Sequence, residues 1–230
     1  MKNKKQEIKI GGKKIRNGNP CYIISEIGNN HGASKEAAIK MIKASYEAGA
    51  DAVKFQTFKA LDIVNPNVPA NTYPGWDVAD KYDYWYQFVE TFEMPYEWYD
   101  ELIDCARKLG MAFISTPASV EAALFLGSKR VDALKIASMD LNNTPFLAEV
   151  DKIGLPVILS TGMSTLQEIE EAVAVFKKSP LALLHCVSNY PLKGEDANLL
   201  NINMLSDHFL LPVGFSDHAL GYDLDIVAVG

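Results

Sequence analysis

The chain has 230 residues, 48% hydrophobic and 22% charged, with 15 Gly, 11 Pro and 3 Cys. That apolar fraction suffices for a sizeable core and excludes a disordered or collagen-like chain. No apolar run approaches the roughly 18 residues of a membrane-spanning helix. Cys21, Cys105 and Cys186 are too few and too scattered for a disulfide framework or a thiolate zinc site. The formal net charge is −7, yet seven basic residues against one acid fall in the first 16 positions, leaving 15 basic and 28 acidic residues beyond them. Such an acidic body is a poor general nucleic-acid binder. The first twenty residues lack the apolar stretch of a signal peptide, so the expected setting is the cytoplasm, with no membrane partner.

Residues 1–20 alternate around Gly11-Gly12 and predict a solvated β-hairpin leader. From residue 21 to 230, short β-rich apolar runs alternate with helical stretches. The runs are Cys21–Gly28, Asp51–Phe58, Met111–Pro117, Ala133–Ser138, Pro156–Gly162, Leu181–Val187 and Pro212–His218. The helical stretches include Ser34–Ala48, Tyr96–Leu109, Ser119–Gly127, Leu166–Lys177 and Leu199–Phe209. Ser34, Ser119 and Thr165 read as N-caps, and Gly49, Gly110 and Gly154 as helix stops. Near-continuous hydrophobic strands predict a parallel sheet covered on both faces. Residues 59–94 form an aromatic-rich insert (Tyr73, Trp76, Tyr82, Tyr84, Trp85, Tyr86, Phe88, Phe92), readable as a local plug, a substrate lid or a partner surface.

Each of the seven runs ends in polar side chains, which favours an α/β, TIM (β/α)8-type barrel over an open sheet with one switch point. Only seven strands are read, so the expected barrel is incomplete by its eighth. No dinucleotide fingerprint or P-loop appears. Lys54 and Lys135 at strand ends, with hydroxyls from Thr116, Ser138, Ser160, Ser188 and Ser216, are the donors a small phosphorylated carboxylate needs. A Schiff-base lysine is the rival chemistry. In Ser216-Asp217-His218 the imidazole is a candidate metal ligand with Asp217 nearby. His31 follows the first strand end within reach of the mouth, His185 is a core or barrel-lining residue, His208 lies on the surface and Cys186 packs internally. Glu26 and Asp140 are the carboxylates best placed for acid or base work.

Ile24–His31, Gly49–Thr57, Phe113–Pro117, Leu134–Ser138, Leu159–Met163, His185–Pro191 and Gly214–His218 together make the chain resemble the N-terminal barrel of the sialic acid (N-acetylneuraminate) synthase family. The resemblance implies a transferase that condenses phosphoenolpyruvate with an open-chain N-acetylhexosamine, giving a nine-carbon 2-keto acid and phosphate. It implies that Lys54, Thr116, Lys135, Ser138, Ser160, Ser188, Tyr190 and Ser216 surround phosphoenolpyruvate. It further implies that Gln56 and Glu26 lie near the reacting groups, and that His218 binds a divalent metal, Mn2+ or Mg2+, that polarises the sugar aldehyde.

The sequence departs from the family's Lys-Ile-Gly-Ser-Gly-Glu at Lys135-Ile136-Ala137-Ser138-Met139-Asp140, which leaves legionaminic and pseudaminic acid synthases open. Position 188, often Asn, is Ser. A second metal histidine on an eighth strand and a C-terminal antifreeze-like domain are not read in the chain. The expected partners are therefore a homodimer mate or a complementary C-terminal fragment. Alternative readings are a catalytically inactive remnant, one half of a split synthase, and a Schiff-base aldolase.

Overall fold

The computed structural model describes residues 7–16, 18–73 and 78–229. Trp76 and the basic residues Lys2, Lys4 and Lys5 lie outside them. The chain divides into two compact units, Ile23–Val131 and Met1–Tyr22 with Asp132–Gly230. Among the described residues no helix is long and apolar enough to cross a membrane.

The N-terminal segment pairs β1 (Ile8–Ile10) antiparallel with β2 (Lys13–Ile15). Gly11 and Gly12 turn the chain at φ 54° and 84°, the left-handed region that favours glycine. The hairpin is as the sequence suggested, but its solvation holds for one face only. Alternation puts Ile8 and Ile10 on one side, where both are buried, and leaves Lys9 outside.

The unit Ile23–Val131 runs β3 (Ile24–Gly28), α1 (Lys35–Glu47), β4 (Ala52–Thr57), α2 (Ala60–Ile63), α3 (Trp85–Glu90), α4 (Tyr99–Lys108), β5 (Ala112–Pro117) and α5 (Val120–Ser128). Its three strands are successive parallel neighbours. In the insert, α2 and α3 frame a bridge between Pro69 and Tyr84. There the rings of Tyr73, Trp85, Phe88 and Phe92 pack in series at centroid distances of 4.7, 5.2 and 5.0 Å.

The other unit continues with β6 (Ala133–Ile136), α6 (Thr144–Ile153), β7 (Val157–Ser160), α7 (Leu166–Val175), β8 (Leu181–Cys186), α8 (Leu200–Phe209), β9 (Val213–Ser216) and α9 (Asp223–Val229). Strands β6 to β9 are again parallel neighbours in chain order. Each of the seven parallel strands β3 to β9 falls inside one of the seven apolar runs. The caps are also as read. Ser34 and Ser119 hydroxyls accept the N–H groups of Ala37 and Ala122. Thr165 and Glu168 form a reciprocal capping box that starts α7. Helix α6, which the helical stretches above omit, carries its own signals: an Asn143 cap, an early Pro, and Gly154 at φ 76° as its stop.

Register assigns the side chains to faces, because successive residues of a strand point to opposite sides. In the first unit Val53, Phe55, Thr57, Phe113 and Ser115 share the face on which α4 packs: Thr57 Oγ1 lies 2.6 Å from Tyr99 Oη and 2.7 Å from Ser115 Oγ. Phe55 and Phe113 stack at 5.1 Å and are fully buried. In the second unit Leu134, Ile136, Val157, Leu159, Leu181, Leu183, His185 and Phe215 form the equivalent face, with α8 packed on β8 and β9. The opposite faces carry Lys54, Gln56 and Thr116 in one unit and Lys135, Ser160 and Ser216 in the other, beside buried Ile114 and Ile158.

Candidate functional site

On the first unit, Glu26, Lys54, Gln56 and Thr116 share the face turned away from α4. Lys54 is only 8% exposed. Its ammonium is ion-paired with Glu26 and donates to Thr116 Oγ1 at 3.4 Å. A cation this buried is costly unless paired, so the carboxylate and hydroxyl hold the charge in place. A register shift between Glu26 and Gly28 bulges β3. At Gly28, with φ 56°, an added Cβ would lie 3.0 Å from Glu26 Oε1 and 3.6 Å from Gln56 Nε2. Only glycine allows the strand end to fold so tightly over the carboxylate.

On the second unit, Lys135, Ser160, Cys186 and Ser216 share one face through the register Lys135–Ile158, Ser160–Leu184–Gly214 and Cys186–Ser216. Ser160 is fully buried, and its Oγ has no hydrogen-bond partner among the described residues. Just past β6, the Ser138 hydroxyl accepts the Gly162 N–H at 3.0 Å. Asp140, half-buried, has its pKa raised because burial penalises the carboxylate, and Lys135 only partly offsets this. Its Oδ2 is buried without a hydrogen-bond partner among the described residues. Ser188 lies on the wall of a cavity of about 580 Å3 that is bordered by Met163, Leu166, His185 and Met204.

The β9 end is organised around His218. Its Nδ1 lies 3.1 Å from the Val187 carbonyl, which can only accept, so the proton sits on Nδ1. Nε2 then faces Tyr190 Oη at 2.9 Å, and Cys186 Sγ is 3.9 Å from Nδ1. Asp217 Oδ1 accepts the Ala219 N–H at 2.8 Å and so braces this turn. Exposed Asp225 has its pKa raised, by desolvation first and by the Asp217 charge second. Among the described residues no three His, Cys, Asp or Glu side chains gather in a way that would hold a metal ion. One imidazole with both nitrogens engaged falls short of the donor set that the implied divalent cation requires.

His31 resolves to the core. It is 3% exposed, lies 6.2 Å from the Phe55 ring and 6.3 Å from that of Trp98, and its Nδ1 accepts the Ala33 N–H. Burial lowers its pKa and keeps the ring neutral. His185 Nε2 donates to the Ala197 carbonyl, 2.7 Å away, on the helix-facing side, and His208 contacts Glu170 at the surface. Sequence reasoning missed Gly28 and Gly162. The available signal was a glycine within two residues of a strand-end polar side chain, which marks close backbone approach without naming what approaches.

Residues 41–230 match the NeuB family. The chain belongs to that family. It is 40% identical over 230 residues to the N,N'-diacetyllegionaminic acid synthase of Legionella pneumophila, covering 96% of this chain and 64% of that protein. It is 37% identical over 216 residues to a pseudaminic acid synthase of Campylobacter jejuni, covering 90% and 61%. Among solved structures, the N-acetylneuraminic acid (sialic acid) synthetase of Leptospira borgpetersenii in complex with citrate matches with a TM-score of 0.84 at 36% identity, over 97% of this chain and 74% of that one. The chain thus spans less than two thirds of the length of these curated relatives. Its α/β fold is of the TIM-barrel type shared by this NeuB-family neighbour.

Proposed function

We propose that this NeuB-family chain carries the phosphoenolpyruvate-condensing part of a nonulosonic acid synthase. The observation that carries the reading is that each unit presents a lysine and hydroxyls on one strand face: Lys54 with Thr116, and Lys135 with Ser160 and Ser216. Lysines supply charge and hydroxyls supply neutral donors, which suits an enol phosphate with its adjacent carboxylate. Ser138, Ser188 and Tyr190 extend the donor set in this proposal.

In the reaction, the enol carbon of phosphoenolpyruvate attacks the aldehyde carbon of an N-acetylated aminohexose. Water adds at the resulting oxocarbenium carbon, and phosphate leaves with cleavage of its C–O bond. The products are a nine-carbon 2-keto acid and inorganic phosphate. Asp140, biased towards its protonated form by burial, is suited to deliver a proton to the aldehyde oxygen. Glu26 is proposed to serve the water-addition step, with Gln56 orienting the reacting groups. The names of the relatives favour an acceptor of the legionaminic or pseudaminic type over a plain N-acetylhexosamine, and Met139 and Asp140 are the positions proposed to discriminate. No disulfide joins Cys21, Cys105 and Cys186 among the described residues, which suits the proposed cytoplasmic setting. Lys54 is engaged by Glu26 and Thr116, which favours an anion-binding role over a Schiff-base one.

The test is phosphate release. It should require both phosphoenolpyruvate and the N-acetylated aldose, and Lys135→Ala should lower it by about 10²–10³-fold. Release from phosphoenolpyruvate alone, or release indifferent to Lys135→Ala, would overturn the reading.

A further inference from the structure

We infer that Gly162 is a positioning residue that sets the Ser138 and Ser188 hydroxyls for an anionic substrate. This rests on the phosphoenolpyruvate reading above and deepens it. Gly162 lies just beyond β7, the strand between β6 and β8 in the sheet. Ser138 follows β6 and Ser188 follows β8, so the tips of three neighbouring strands meet at one α-carbon. An ideal Cβ on Gly162 would stand 2.6 Å from Ser188 Oγ, 2.8 Å from Ser138 Oγ and 3.2 Å from the Cys186 carbonyl oxygen. The first two distances are closer than side chains tolerate.

The backbone conformation does not itself demand glycine. Gly162 is absent from the positive-φ residues, in contrast to Gly49, Gly110 and Gly154, where an added Cβ meets open space. At Gly162 the constraint is approach alone. Its N–H donates to Ser138 Oγ at 3.0 Å, which uses that oxygen as an acceptor and leaves the Ser138 proton free to be donated onward. A hydroxyl that accepts while it donates is polarised, which strengthens its bond to an anion. Serine rotates about a single χ angle. A methyl group at 162 therefore swings both hydroxyls aside at little cost to the fold, and the penalty falls on substrate binding.

Calorimetric titration of phosphoenolpyruvate into the whole chain tests this, using Gly162→Ala, the double variant Ser138→Ala/Ser188→Ala, and the triple variant combining all three. Gly162→Ala should weaken binding about tenfold or more and shift Tm by less than about 3 °C. In the double-variant background it should weaken binding no further, because the hydroxyls it displaces are already gone. Equal binding by Gly162→Ala and the unsubstituted chain would overturn the inference, as would the same loss in both backgrounds, which would implicate the Cys186 carbonyl. If Gly162→Ala melts far lower, the triple variant should recover the double variant's Tm; failure to recover also overturns it. An unsubstituted chain that binds no phosphoenolpyruvate would instead bring down the functional reading, and this inference with it.

Discussion

The two faces of the parallel strands are built to opposite specifications. The helix-facing side is apolar and closed: Phe55, Phe113, Leu134, Ile136, Leu159 and Leu183 are all fully buried. Even its polar members are spoken for, Thr57 by Tyr99 and Ser115, and His185 by the Ala197 carbonyl. The other side holds Glu26, Lys54, Gln56 and Thr116 in one unit and Lys135, Ser160 and Ser216 in the other. Among the described residues, Ser160 Oγ on this side and Asp140 Oδ2 just past β6 are buried without hydrogen-bond partners. An unsatisfied buried polar atom costs about 1–3 kcal/mol. One face is therefore committed to the core, while the other, beside its buried Ile114 and Ile158, also retains buried polar atoms at a cost to the fold. The lesson is that substitutions on the two faces should separate stability from chemistry.

The largest effect is expected on the closed face. Phe113→Ala removes a fully buried ring stacked on Phe55 and should destabilise by about 3–5 kcal/mol in denaturant titration. Phosphate release per folded molecule should stay intact. Loss of activity at unchanged stability would break the comparison. On the polar face, Lys135→Ala should lower phosphoenolpyruvate-dependent phosphate release by about 10²–10³-fold, with the Tm moved by no more than about 3 °C.

Asp140→Asn sharpens the contrast, because its two effects have opposite signs. An amide cannot deliver a proton, so kcat should fall about 10²-fold with little change in affinity for phosphoenolpyruvate. Stability should move the other way. Burial raises the Asp140 pKa in the fold, so ionisation at neutral pH works against folding. In the parent that penalty is relieved as pH falls through the raised folded value towards the unfolded value of about 3.9. Asn never ionises. The variant should be the more stable protein at pH 7, and the gap should close by about pH 4. A variant less stable than the parent at neutral pH would show that the carboxylate contributes to the fold.

Strand positions were legible because strands covered on both faces are continuous apolar runs, and Pro156–Gly162 or Leu181–Val187 can hardly be anything else. Caps were legible because one hydroxyl meets one N–H nearby in sequence, as at Ser34, Ser119 and Thr165. The same continuity hid the faces. Without a period of two, the sequence did not say that Ser115 turns to Tyr99 while its neighbour Thr116 turns to Lys54, or that His185 and Cys186 point opposite ways. His31 looked able to reach the mouth, but a short turn after β3 folds it back between Phe55 and Trp98. Gly162 was half-legible for a different reason: a glycine at a strand end signals close approach, but the hydroxyls that crowd it are set by the mutual register of three strands.

The smallest expected effect tests the closed side with a charge. Asp151, in the last turn of α6, is 6% exposed. Its Oδ1 accepts the backbone N–H groups of Lys177, Lys178 and Ser179 at 3.1, 2.9 and 2.9 Å, fastening the turn that leads into β8. Burial alone would raise its pKa, but the three N–H donors outweigh that and hold it below the usual carboxylate value. A depressed folded pKa contributes stability above the unfolded value of about 3.9, and that contribution is lost as pH falls through the folded value. Asp151→Asn keeps an acceptor oxygen and removes the charge, so it should cost about 1–2 kcal/mol at pH 7. The difference should vanish on acidification, when the parent carboxyl is protonated too. Phosphate release per folded molecule should be unchanged at pH 7, because the charge fastens a turn and lies on neither polar strand face. A gap that persisted undiminished at acid pH would mean that geometry, not charge, holds this turn.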